Sequence, residues 1–152
     1  MVIPPAAVPF VVAGTIAAVT GGLVAAVTGP TGWDDGSWVA AFLVLVTGVG
    51  QIGLGVGRAS LAPAPPTRRR LAAELATLNA AAILVIGGTL ATAPTAVTIG
   101  SVAFAAAVVA IAWGARRRRA ERWTCLSAVF TALLVILLVS TPVGIALAWI
   151  RA

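Results

Sequence analysis

Apolar residues run along this chain in five long stretches, and each polar interruption is short enough to be a turn or a loop. Each stretch approaches or exceeds the roughly 20 residues that an α-helix needs to cross a bilayer core. The pattern predicts an all-α membrane protein, a single integral domain over 1–152, with spans at about 6–28, 38–57, 71–92, 95–115 and 124–150.

The breaks set these limits. Gly29-Pro30 closes the first span, because glycine accepts a left-handed cap and proline cannot continue a helix. The loop TGWDDGSW follows, with Ser37 as the expected cap of the second helix and Asp34 and Asp35 near its positive end. RASLAPAPPTRRR, from Arg58 to Arg70, combines prolines and arginines and reads as an extended, water-exposed connection. The stretch from Leu71 to Ala115 has one charged side chain and would span about 68 Å as a single helix, too long for one crossing. Pro94 divides it, at a position where proline suits the first turn of a new helix. RRRRAERW precedes the last span, which Pro142 is expected to kink.

Charge orients the bundle. Arg58, Arg68, Arg69 and Arg70 fall in one connection, Arg116, Arg117, Arg118, Arg119 and Arg122 in another, and Arg151 alone lies at the other end. Cytoplasmic loops collect basic residues, so the expected orientation is N-terminus in and C-terminus out. Trp33, Trp38, Trp113, Trp123 and Trp149 all fall at the expected interfaces, where an indole anchors with its ring in apolar surroundings and its N–H in headgroups. Arg68 to Arg70 and Arg116 to Arg119 are also candidate contacts for anionic lipid.

Composition supports the same class. Hydrophobic residues make up 61% and charged residues 9%, against about 25% charged in soluble domains. The mean hydropathy is +1.09, so the expected solvent is lipid. The net charge of +6 comes from arginines between apolar runs rather than from a soluble basic face, and no nucleic-acid partner is expected. With arginine as its only basic residue type and with abundant Ala and Val, the chain suits a prokaryotic cytoplasmic membrane.

Missing residue types narrow the chemistry. Without His there is no His-based triad, bis-His haem or HExxH zinc site, and without Lys no Schiff base or Walker A loop. The single Cys125 cannot form an internal disulfide and reads as a small buried apolar residue. No enzyme activity and no cofactor is expected.

Glu74 is the one acid inside an expected span, and an ionisable group there is a functional candidate. Arg70, one turn earlier, makes an interfacial Glu–Arg pair the simpler reading. Gln51 and Asn79 lie at a common depth, about 10–14 Å from the arginine boundary, and are expected to face each other or the bundle interior. Small-residue pairs suggest close helix contacts at Gly53 and Gly57, at Ala13, Ala17 and Gly21, and at Ala106, Ala110 and Gly114. These spans should form the centre, while the bulky LLVILLV run from Leu133 places the fifth outside it.

The leading functional expectation is a non-enzymatic accessory or scaffold subunit of a membrane assembly. Its expected partners are lipid, other membrane subunits or further copies of the chain. The alternative is a small transporter or channel with Glu74 as its coupling carboxylate.

Overall fold

The computed structural model describes residues 4–62, 66–119 and 125–150, with side chains 116–119 left out of the description. Among the described residues there is no strand, and five helices are long and apolar enough to cross a membrane. They are α1 Val8–Thr31, α2 Gly36–Leu61, α3 Arg68–Leu90, α4 Pro94–Arg119 and α5 Cys125–Ile150.

Several helix ends differ from the sequence expectation. α1 continues through Pro30 and stops at Gly32, whose φ of 64° is left-handed. The Gly32 N–H donates to the Gly29 carbonyl and the Trp33 N–H to the Thr28 carbonyl, so a Schellman turn satisfies the last carbonyls. α2 starts at Gly36, which puts Ser37 inside the first turn; Asp35 precedes the helix without a side-chain cap. α2 also runs on to Leu61, so Arg58 is a helical residue and not part of the loop. Arg68 to Arg70 form the first turn of α3, where the Thr67 hydroxyl accepts the Arg70 backbone N–H at 3.3 Å. α5 stays helical through Pro142.

α2 and α4 are central. α1 and α2 form one antiparallel hairpin and α3 and α4 another; α4 then packs on α5, and the lower part of α2 meets both α4 and α5. Glycine allows these approaches: Gly14 lies against Gly48, Gly21 against Ala40 and Val44, and Gly100 against Ala81 and Val85. The small-residue reading of the first span therefore holds for its seam with α2, but α1 sits at the side of the bundle. In α4 the expected seam fails, since Ala106 and Ala110 are exposed while Phe104, Val108, Ile111 and Ala115 are buried. The side-chain volume that fills the core comes from this larger face.

The fifth helix is peripheral, as its bulky run suggested, but one stripe of it enters the core. Ser127, Phe130, Leu134 and Leu137 are buried at helical spacing. Leu133 and Phe130 approach Gly53 and Gly57, so the glycines of α2 receive large side chains from α5. Lipid tails are as apolar as leucine, and such contacts gain by dispersion and shape rather than by escape from water.

An eight-residue π-helical segment, Phe42–Val49, lies within α2. An α-helix turns about 100° per residue, so Trp38 and Arg58 would project from nearly opposite faces of a regular helix. Both instead face α3 and α4. The wider π turns supply the missing rotation, aligning the two halves of α2 on one side of the bundle.

Candidate functional site

Polar groups inside the bundle fall in three levels along α2. At the arginine end, Arg58 of α2 and Glu74 of α3 form an ion pair with side chains only 4% and 9% exposed. The second Glu74 oxygen accepts from Arg70 Nε at 3.0 Å, and Arg70 itself is half exposed. The Arg70 guanidinium also reaches the Ala110 carbonyl at 3.4 Å. Gly114 lies beside both guanidiniums, where a Cβ would come within 3.4 Å of Arg70 Nη2. The expected Glu74–Arg70 pair is present, but Glu74 is buried rather than interfacial.

Arg58 is the residue that sequence reasoning missed. Its place at the head of a proline-rich arginine segment suggests a loop. The signal that could have placed it is GQIGLGVGR itself: seven residues after Gln51, Arg58 continues that residue's helix face by two turns.

One level further in, Gln51 Nε2 donates to Asn79 Oδ1 at 3.1 Å, joining α2 to α3. Asn79 Nδ2 donates to the Leu75 carbonyl at 2.8 Å, which orients the amide. Thr47, in the π segment, is buried and its hydroxyl has no hydrogen-bond partner among the described residues. Thr20, Thr28 and Thr77 bond the carbonyl four residues earlier, as threonine does in α-helices.

At the opposite end, a cavity of about 420 Å³ opens between the first half of α2, the α3–α4 turn and the last half of α5. Trp38, Phe42, Val85, Val97, Phe104 and Leu147 give it a largely apolar wall. Trp38 stacks on Phe42 with ring centroids 5.4 Å apart. Asp35 and Ser101 are among its polar wall residues.

The tryptophans divide. Trp33, Trp113 and Trp149 are exposed near helix ends, while Trp38 is half-buried in the cavity wall. Trp149 gives its N–H to Thr98 at 3.1 Å, tying α5 to α4 instead of leaving that donor for a headgroup. Trp123, Glu121, Arg122 and Arg151 lie outside the described residues, as do the side chains of Arg116 to Arg119. Arg68, Arg69 and Arg70 are exposed together. Cys125 is exposed at the start of α5, correcting its reading as a buried residue.

Among the described residues no group of three or more His, Cys, Asp or Glu side chains is placed to hold a metal ion. No protein-family model, curated protein or solved structure matches the chain. The fold and polar groups thus define a class, a five-helix apolar bundle braced by internal ion pairs and amide contacts, and no particular family.

Proposed function

We propose that the chain is a multi-pass protein of a prokaryotic cytoplasmic membrane and a non-enzymatic accessory or scaffold subunit of a membrane assembly. Its N-terminus and arginine end face the cytoplasm, and the Asp34–Asp35 end faces outward. The observation that carries the scaffold reading is Glu74 held between two guanidiniums. A carrier's coupling carboxylate must be free to exchange partners, whereas both Glu74 oxygens are engaged by guanidiniums, one of them on the neighbouring helix. Glu74 acts here as a brace that fixes α2 and α3 in register.

The exposed Arg68, Arg69 and Arg70 suit contact with anionic lipid, each contributing about 1 kcal/mol near a charged surface. Partners of the subunit are lipid, other membrane subunits or further copies of the chain. α1 offers them a long apolar face, with Val12, Ile16, Val19 and Leu23 all more than half exposed.

The test is flux in proteoliposomes containing only this protein, under imposed proton and cation gradients. No saturable flux is expected. Saturable, gradient-driven flux that disappears in Glu74→Gln would overturn the scaffold reading and make Glu74 the coupling group of a carrier.

A further inference from the structure

We infer that the cavity at the Asp35 end binds a lipophilic ammonium compound that carries a hydrogen-bond acceptor within its apolar body. This site is remote from the Arg58–Glu74 brace, and the inference stands independently of the scaffold reading.

Size and shape come first. At about 420 Å³ the cavity is within the range of roughly 300–1,000 Å³ typical of small-molecule sites. Four helices, α2 to α5, contribute to its wall, so it is a feature of the assembled bundle rather than a groove on one surface.

The sign of the charge follows from the wall. Among the described residues that line it, Asp35 alone is charged. Asp35 is exposed, at the mouth, and lies one turn before Trp38 on the same side of the chain. The stacked rings of Trp38 and Phe42 continue inward from it, and an aromatic face attracts a cation through its quadrupole. A carboxylate followed by aromatic rings and then by Val85, Val97 and Phe104 matches a positive head and an apolar body.

The acceptor requirement comes from Ser101. It lines the cavity and is 7% exposed, and its hydroxyl has no partner among the described residues. Other hydroxyl residues of the same wall behave differently. Thr89 bonds the Val85 carbonyl, and Ser140 and Thr141 both bond the Leu137 carbonyl. Ser101 is therefore the buried donor left for a guest, and buried polar groups are generally partnered.

The probe is dansylcadaverine, a fluorescent sulfonamide with a primary ammonium and sulfonyl acceptors. Its neutral N-acetyl derivative and the carboxylate-bearing dansyl-aminohexanoate differ from it mainly in charge. Binding is read as dansyl fluorescence in phosphatidylcholine nanodiscs holding the full chain, after subtraction of protein-free nanodiscs. Saturable binding of the ammonium probe is expected, with the neutral and anionic analogues about tenfold or more weaker. Asp35→Asn should erase that preference, while Asp34→Asn, outside the cavity wall, should leave it intact. Ser101→Ala should weaken the ammonium probe several-fold without changing the charge preference.

Gly144→Leu gives a separate check. Gly144 borders the cavity, and a Cβ there meets no atom within 4 Å, so a side chain at this position starts into open space. This variant should block the probe and retain the wild-type melting temperature. Equal binding of all three probes, a charge preference that survives Asp35→Asn, or no saturable binding by the wild type would each overturn the inference.

Discussion

Arg58 and Glu74 lie on opposite sides of the proline-rich connection, yet their side chains meet as an ion pair shielded almost completely by the bundle. Each charge alone is unfavourable in an apolar span, by about 2.5–3.5 kcal/mol for Arg, Lys or Asp at a helix centre. Together, with Arg70 on the second oxygen of Glu74, they compensate one another and fix the register of two helices.

An exposed ion pair would contribute about 0–1 kcal/mol, but this one is buried and its removal should cost more. Glu74→Leu is expected to lower stability by about 3–5 kcal/mol because it leaves Arg58 buried without its carboxylate, and Arg58→Leu by less, because Glu74 keeps Arg70 on its other oxygen. The double variant Arg58→Leu/Glu74→Leu should recover most of that loss. Unfolding in detergent micelles measures all three, and a double variant as unstable as the sum of the two single changes would refute the coupling.

The Gln51–Asn79 contact is weaker. Membrane hydrogen bonds of this kind average about 0.6 kcal/mol, so a double-mutant cycle with Gln51→Leu and Asn79→Leu should give a coupling of that order. A coupling of zero would mean that the amides do not depend on each other.

Thr47 should respond in the opposite direction. Its hydroxyl is buried without a partner in the π segment, and an unsatisfied buried polar group costs about 1–3 kcal/mol. Thr47→Val keeps the shape and removes the polar atom, so the variant should melt at a higher temperature than the wild type. A lower melting temperature would show that the hydroxyl has a stabilising partner.

Gly57 tests the α2–α5 contact. A Cβ at this position would overlap the Phe130 ring, and overpacking typically costs about 1–3 kcal/mol. Gly57→Ala is expected to destabilise by that amount, and Phe130→Leu should restore part of it by freeing the space. Failure of the second change to help would place the strain elsewhere.

Orientation can be read from Cys125, which is exposed at the first residue of α5. With the arginine end in the cytoplasm, an impermeant thiol reagent should label inverted vesicles and spare intact cells. The reverse labelling pattern would invert the proposed topology.

The number of helices and their approximate limits were legible along the chain because a span needs a long apolar run, and turns need glycine, proline or charge. Close helix contacts at Gly53 and Gly57 could be expected from their spacing, as could an inward position for Gln51 and Asn79, since amides avoid lipid. Helix ends are less legible: Pro30 and Arg58 each suggest a break from local sequence, but both are helical. A residue type biases the local backbone, while hydrogen bonds from Gly32 and Trp33, or a counter-ion on another helix, can outweigh that bias.

The sequence by itself determined the apolar class of this protein, its five helices and the separation of all arginines but Arg151 from the aspartate pair, because these follow from local composition and period. Only the tertiary structure decided that Arg58 pairs with Glu74, that α4 buries Val108 and Ile111 rather than Ala106 and Ala110, and that Asp35 and Ser101 border one cavity. Those relations depend on the rotation of each helix about its axis, and in α2 that rotation is changed by the π segment from Phe42 to Val49. Apolar side chains surround the helices on every side, so hydrophobicity along the chain has little periodic contrast from which such rotations could be read.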